Sequence, residues 1–266
     1  MTKMISAAQK AYLQKESHHR RRVLLARMSI LILFFVLWET AAWFGWINDF
    51  IFSSPSRMWN TFVTMTCDGS LFVHVLTTLA ETLIAFFAVL VLGLAIALLL
   101  WHSHLIAEIL DPYLVTLNSL PKSALAPVLI VWLGSNGRTI IITAASVALF
   151  GSILTLYAGF QAVDDDKIKL IRTLGGSRRD IMTKILIPHA VPLIISNMKV
   201  NIGLCLVGVI IGEFLAATQG LGYLIIYGSQ TFKMDWVLLS ILILCFIAVA
   251  LYGALHMLEH AYYKNK

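Results

Sequence analysis

The sequence predicts an all-α, polytopic membrane protein with six transmembrane helices. Of its 266 residues, 59% are hydrophobic and only 13% are charged, and the mean hydropathy is +0.84. These values lie far from those of soluble domains. The apolar residues also form runs of about 20, the length that crosses a hydrocarbon core of about 30 Å as a helix. These runs lie near residues 28–47, 76–101, 113–133, 139–160, 190–216 and 236–257.

The first apolar run follows a basic extension. Residues 1–27 contain seven Lys or Arg residues, as many secretory signals do at their start. The run at 28–47, however, is of spanning length, longer than the apolar core of a signal peptide. We therefore predict an uncleaved first transmembrane helix.

The third apolar run contains residues that break a regular helix or carry charge. Asn118, Pro121, Lys122 and Pro127 interrupt it. A membrane helix tolerates such breaks where neighbouring helices or a water-filled cavity satisfy the freed backbone groups. We therefore expect this run to face the interior of the protein.

The basic residues predict the orientation in the membrane. With the amino terminus inside, the inner segments hold 15 Lys or Arg residues and the outer segments hold three. The positive-inside rule then places both termini in the cytoplasm, with a transmembrane domain over 28–258 and a tail over 259–266. The net charge of +6 is spread between apolar runs, which indicates a lipid partner and no nucleic acid.

The cytoplasmic segment 161–189 is unusually polar for this chain. Its apolar residues suggest two helical faces separated by Gly175 and Gly176. Ser177 and Asp180 have the spacing of a capping box, and we expect Pro188 to close the unit. The segment therefore predicts a helix-turn-helix hairpin. One side of this hairpin is apolar, and we expect another surface to pack against it. The two apolar sets are Leu170, Ile171 and Leu174, and Ile181, Ile185 and Leu186.

Three stretches of this sequence resemble one known family. The stretch IRTLGGSRRDIMTKILIP, residues 171–188, is similar to the cytoplasmic signature loop of permease subunits of binding-protein-dependent ABC importers. SLPKSALAPVLIVWLG (119–134) and GEFLAATQGLGYLI (212–225) further resemble the nitrate, sulfonate, taurine and bicarbonate branch. The resemblance covers roughly residues 70–258. The sequence departs from the family where Lys169, Leu170 and Ile171 replace the usual Glu-Ala-Ala, so no role of that Glu passes to Lys169.

The resemblance implies a type I ABC importer fold, in which this loop is a coupling helix seated on a separate ATPase. It also implies two cytoplasmic ATP-binding subunits and a second permease subunit, which makes a homodimer or a heterodimer with a similar permease. An extracellular solute-binding protein is expected to contact loops 48–75 and 217–235. The implied substrate is a small anion, a sulfonate or a vitamin precursor. The predicted docking residues are Arg172, Thr173, Leu174, Gly175, Gly176, Ser177, Arg178, Arg179, Asp180 and Pro188.

The sequence has no phosphate-binding motif of the form G-x-x-x-x-G-K-[ST]. The pair of glycines in GGSRRD lacks both the spacing and the lysine of that motif. We therefore predict a transport subunit that is not itself an enzyme. ATP and Mg²⁺ are expected on the partner ATPase, and no cofactor is expected in this chain.

Polar and charged residues inside the apolar runs are candidates for the transport path or a gate. We select Asn118, Lys122, Lys199 and Glu213, while Glu81 is a further intramembrane charge. Lys199 and Glu213 are 14 residues apart, which places them within about 40° of one helix face and roughly 21 Å apart. The alternative to a role in the path is a structural one, or a side chain that extends along apolar surface and keeps its charge in water.

The sequence is also compatible with two other functions. Glu81 or Glu213 would serve a secondary transporter driven by an ion gradient. His256 and His260 in HMLEH match an inverted zinc-protease motif, which would also need a third ligand and a water-accessible cleft. That motif lies at the end of the last apolar run, so we favour an interfacial helix end and predict no metal site. GVIIG, from Gly208 to Gly212, predicts close helix packing.

Overall fold

The structure, a computed structural model, describes residues 7–264. Within that range the chain forms helices joined by short turns and has no strand. One π-helical turn, Met182–Leu186, joins the ninth and tenth helices. The helices are α1 (Ala7–Trp43), α2 (Asp49–Phe52), α3 (Pro55–Cys67), α4 (Ser70–His102), α5 (His104–Ser119), α6 (Lys122–Leu133), α7 (Gly137–Gln161), α8 (Asp165–Thr173), α9 (Arg178–Ile181), α10 (Ile187–Ala216), α11 (Leu221–Gln230) and α12 (Met234–Lys264).

The centre of the molecule is the contact among α4, α7 and α10. Small residues let these helices approach closely. A Cβ atom placed on Gly208 would lie 2.6 Å from Cα of Ala144, and one on Gly212 would lie 3.0 Å from a side-chain carbon of Ile140. The close packing predicted from GVIIG is therefore confirmed.

Six membrane crossings agree with the sequence prediction, although the third has a different form. Five helices are long and apolar enough to span a membrane, and α5 and α6 form a pair bent by 97°. Arg178 donates a hydrogen bond to the His102 carbonyl just before α5, whereas Ser135 just after α6 donates to the Ala216 carbonyl. These contacts lie at opposite ends of the continuous helix Arg178–Ala216, so the bent pair completes the sixth crossing.

The third crossing corrects two expectations. It is not a single span over 113–133, because the chain turns at Leu120 and Pro121. Only Leu114 and Ala126 of that range are buried within the chain, so it does not face the interior as expected. Lys122 explains the tolerated break, since its ammonium group donates to the carbonyl of Asn118 across the bend, at 3.0 Å.

The first crossing is the outermost helix of the bundle. Its apolar part, Arg21–Trp43, has no buried residue in its most apolar window, and α1 ends at Trp43 rather than at residue 47. The same helix includes the described part of the basic extension, so no helix begins at residue 28. Residues 1–6 of the predicted extension and residues 265–266 of the predicted tail lie outside the described residues.

The hairpin after α7 also differs from its prediction at one point. Pro188 does not close the unit, because the helix runs without interruption over 39 residues from Arg178 to Ala216. Proline in a regular α-helix clashes with the carbonyl four residues earlier. Here one π-helical turn precedes it, with the Ile187 N–H bonded to the Met182 carbonyl, and accommodates the ring.

Candidate functional site

The turn between α8 and α9 is the candidate site, and its two glycines have different roles. Gly175 has φ of +77°, in the left-handed region that glycine adopts without strain. Its N–H donates to the Arg172 carbonyl, and the Gly176 N–H donates to the Ile171 carbonyl. This is a Schellman motif. A Cβ on Gly176 would lie 2.4 Å from Cγ2 of Ile171, so Gly176 is held close to the end of α8 and the predicted turn between two helices is confirmed.

The start of α9 is capped as the sequence predicts. Ser177 Oγ accepts from the Asp180 N–H at 3.3 Å, and Asp180 Oδ2 accepts from the Ser177 N–H at 2.9 Å. Together these two bonds make a capping box. Lys184 lies one turn further on, with its ammonium group 3.0 Å from the Asp180 carboxylate. The turn therefore has a defined structure on both sides.

The two apolar sets of the hairpin have different environments. Ile181 and Leu186 are 1% and 0% exposed and anchor the hairpin in the bundle. Leu170 and Leu174 on the α8 side are 59% and 75% exposed, and no residue of α8 is buried. One side of the hairpin is thus fixed to the membrane helices, and the other presents apolar surface to its surroundings.

Basic residues of α8 and α9 lie near this apolar surface. Lys169, Arg172 and Arg178 line a cavity of about 390 Å³ between α8 and the start of α5. Lys169 also pairs with Asp166 at 3.1 Å. Nine of the ten predicted docking residues lie at or beside the turn, whereas Pro188 lies about 16 Å along the helix from Ser177.

The predicted path residues fall in three separate places. Asn118 and Lys122 meet at the bend between α5 and α6. Lys199 forms an ion pair with Glu259 of α12 and lies 5.6 Å from the ring centroid of Tyr252. Glu213 is buried near the end of α10 that is remote from the turn.

The histidine motif HMLEH lies beside Lys199 and Glu259. His256 Nδ1 lies 3.3 Å from the same Glu259 carboxylate. Over residues 7–264 no group of three or more His, Cys, Asp or Glu side chains is arranged to hold a metal ion.

Sequence reasoning missed several residues that hold the helices together. Ser152 accepts hydrogen bonds from the amides of Asn197 and Asn201, at 2.7 and 2.9 Å. Thr78 donates to Glu213 at 2.7 Å. A hydroxyl within an apolar run is the only signal that the sequence offers at Ser152 and Thr78, and it does not identify a partner.

Taken together, the fold and the turn define a polytopic helical membrane protein that presents an anchored hairpin at one end of its bundle. A model of the binding-protein-dependent transport system inner membrane component family matches residues 89–261, and the chain belongs to this family. It is a multi-pass inner-membrane permease of the ABC importer type, a membrane subunit of a transport system.

The chain is similar over most of its length to several curated proteins. It is 27% identical to a probable ABC transporter permease of Haemophilus influenzae, covering 90% of this chain and 97% of the relative. It is 26% identical to the taurine transport system permease TauC of Escherichia coli, covering 90% and 88%. It is 25% identical to the formylaminopyrimidine transport permease ThiX of Halalkalibacterium halodurans, covering 86% and 91%.

Solved structures share the fold. An inward-facing structure of the methionine ABC transporter MetNI matches with a TM-score of 0.65 and 19% identity, covering 78% of this chain and 98% of that one. An amino acid ABC transporter with histidines matches with a TM-score of 0.59 and 21% identity, covering 75% and 98%. The expected type I importer fold is therefore confirmed.

Proposed function

We propose that the hairpin centred on Gly175 docks onto a cytoplasmic ATPase subunit and that ATP hydrolysis there drives import through a dimer of this chain. The observation that carries the proposal is the exposed pair Leu170 and Leu174 on a hairpin whose opposite side is anchored. Fully burying a leucine contributes about 1.5–3 kcal/mol. Lys169, Arg172 and Arg178 beside the turn add charge complementarity, which fixes register with a partner.

The helix that follows the turn gives docking a mechanical consequence. One continuous helix from Arg178 to Ala216 connects the turn to the opposite end of the bundle, a length of about 58 Å at 1.5 Å per residue. A displacement of the docked hairpin therefore moves both ends of this helix. That motion suits alternating exposure of a central path.

A second copy of the chain completes the proposed path. The bent pair α5–α6 has a largely uncovered face in the single chain, and Asn118 and Lys122 lie at its bend. We place these two residues on the path, with Glu213 at a gate and Lys199 at a contact between helices. The excess of basic residues at the turn end supports cytoplasmic termini.

At the opposite end, loops 48–75 and 217–235 are the proposed contact for the solute-binding protein. Tyr223, Tyr227 and Trp236 line a cavity of about 430 Å³ there. The relatives that transport taurine and formylaminopyrimidine support a small anion, a sulfonate or a vitamin precursor as the substrate.

Replacing Gly175 tests the docking role. Gly175→Asp should abolish ATPase association or its stimulation by substrate while the membrane helices still insert. Gly69→Asp is the matched control for copurification with the ATPase, because Gly69 has the same φ of +77° and equally open space but lies at the other end of the molecule. Leu174→Asp repeats the test without backbone strain. The measurements are copurification with the ATPase and ATP-dependent uptake in vesicles.

Normal coupled transport by Gly175→Asp and Leu174→Asp would contradict the proposal. Uptake by the purified chain alone, driven by an imposed proton or sodium gradient, would instead support the secondary transporter.

A further inference from the structure

A buried network joins α4, α10 and residues 220–222, which are the loop residue before α11 and the first two residues of that helix. Glu213 Oε1 accepts from the Thr78 hydroxyl at 2.7 Å, and Glu213 Oε2 accepts from the Gly222 N–H at 2.6 Å. Thr78 Oγ1 in turn accepts from the Leu221 N–H at 2.8 Å. Both carboxylate oxygens of Glu213 therefore already have a donor, and the Thr78 hydroxyl is used as donor and as acceptor.

The same loop makes one more contact with α4. The Gly220 N–H donates to Nδ1 of His74 at 3.0 Å. Gly220 has φ of +115°, and a Cβ there would lie 2.3 Å from Glu213 Oε1. The N–H groups of Gly220 and Leu221 thus hold this segment against α4, and the N–H of Gly222 holds it against α10. The Glu213 carboxylate occupies the space that a side chain at residue 220 would need.

Glu81 is the unexplained member of this region. It lies one turn after Thr78 on α4, is 8% exposed, and its Oε2 atom is buried without a hydrogen-bond partner. Its carboxyl group lies beside that of Glu213. On its other side is α7, where a Cβ on Gly137 would lie 3.1 Å from Glu81 Oε1. Three helices therefore enclose a pair of adjacent carboxyl groups.

A proton between the two groups is the simplest way to stabilise this arrangement. Two neighbouring carboxylates in a buried site destabilise each other when both are ionised, and a buried acceptor without a partner costs about 1–3 kcal/mol. The other ionisable groups on the surrounding elements do not neutralise the pair: His74 is bonded to Gly220, and Arg138 on α7 is exposed.

A metal ion fits the site less well than a proton does. Hard cations take six or more oxygen ligands, whereas the Thr78 hydroxyl and both Glu213 oxygens are already bonded. In the part of the chain that the structure describes, no three metal-binding side chains converge here or elsewhere.

We propose that Glu81 and Glu213 form a buried proton-binding site in which Glu81 carries the proton and donates it to Glu213. In this arrangement Glu213 accepts three hydrogen bonds and positions the loop before α11, while Glu81 acts through Glu213 as a positioning residue. The inference makes no assumption about ATPase docking.

The proposed roles differ, and amide substitutions distinguish them. A glutamine at residue 81 keeps a donor for Glu213, so Glu81→Gln should preserve the network. A glutamine at residue 213 replaces one acceptor oxygen with an NH2 donor. That donor then faces the Thr78 hydroxyl or the Gly222 N–H. Glu213→Gln should therefore release the loop, and Glu81→Ala should do so as well.

The experiment uses the full purified chain and two measurements. Hydrogen exchange of the segment around Leu221 and Gly222 should accelerate about tenfold or more in Glu213→Gln and Glu81→Ala, equivalent to about 1.4 kcal/mol, and change less than about threefold in Glu81→Gln. Infrared difference spectra should show one buried protonated carboxylic acid that Glu81→Gln removes. Glu108→Gln, at an exposed carboxylate, is the control and should leave both signals unchanged.

Three outcomes would overturn the proposal. The first is the absence of a carboxylic acid signal that depends on Glu81. The second is equal acceleration of exchange by the two glutamine variants, or no acceleration by either. The third is slower exchange of the loop in sodium than in potassium at equal ionic strength, lost in Glu81→Gln, which would assign the site to a metal cation.

Discussion

At the scale of single residues, the packing of α7 against α10 depends on glycine. Gly208 lies where a Cβ would come within 2.6 Å of the Ala144 backbone, whereas Gly203 on the same helix has open space around it. Two glycines on one helix therefore have opposite tolerance for one added methyl group. The GVIIG pattern marks Gly208 in the sequence, but it does not show which helix Gly208 meets.

Gly208→Ala should destabilise the protein by about 1–3 kcal/mol, because the two backbones must separate to admit the methyl group. Gly203→Ala, the matched control, should be neutral or stabilising by up to about 1 kcal/mol, since alanine has the higher helix propensity. Denaturant or thermal unfolding in detergent measures both. Equal effects of the two substitutions would show that this helix contact is looser than the structure indicates.

Buried polar residues show the same dependence on position. Glu213 and Lys199 look alike in the sequence as isolated charges inside one apolar run. Glu213 bonds to Thr78 of α4, whereas Lys199 pairs with Glu259 of α12. The partner of each residue, and not its type, decides its role.

At the scale of elements, the hairpin after α7 is built from local capping. The Schellman motif that ends α8 and the capping box that starts α9 both use residues within six positions of each other. Such motifs depend on residue types at fixed spacing. For that reason the turn could be predicted from the sequence.

Ser177→Ala removes the side-chain acceptor of the Asp180 N–H and should cost about 0.5–2 kcal/mol of local stability. Hydrogen exchange in residues 178–187 should accelerate, and coupled transport should fall with it. Ser103→Ala is the control: it removes the corresponding cap of α5 at the same end, where Ser103 Oγ accepts from the Ile106 N–H. It should loosen α5 and leave residues 178–187 protected; the same exchange pattern in both variants would argue against a local cap.

The backbone path at two prolines could not be predicted from the sequence. Pro188 has the position of a helix terminator, but a π-helical turn carries the helix past it. Pro121 and its neighbours produce a bend of 97° where a single span was expected. In both cases the response of the backbone to proline depends on hydrogen bonds that it makes after folding, such as that of Lys122 with the Asn118 carbonyl.

At the scale of the whole molecule, the alternation of six crossings places the turn and the loop before α11 at opposite ends. Cys67 at the end of α3 is exposed, and Cys205 is buried within the bundle. Leu174 lies at the turn end and is largely exposed. These positions give a direct test of the orientation that the basic residues predict.

A membrane-impermeant thiol reagent applied to spheroplasts should label Cys67 in the unmodified chain. In a Cys67→Ser background expressed without the proposed ATPase partner, Leu174→Cys should react only after the membrane is permeabilised. Cys67→Ser alone is the control for Cys205 and Cys245, which lie within spanning helices and should stay unlabelled. Labelling of Leu174→Cys in intact spheroplasts would reverse the proposed orientation.

The sequence by itself determined that this chain is a six-span helical membrane protein with a capped glycine turn. Long apolar runs and caps are local properties, and the bilayer requires each run to satisfy its own backbone. Only the tertiary structure decided that Ile181 is buried while Leu174 is exposed, and that Glu213 meets Thr78 across 135 positions of sequence. Those contacts depend on how the helices pack, because side chains far apart in the chain become neighbours only in the folded bundle.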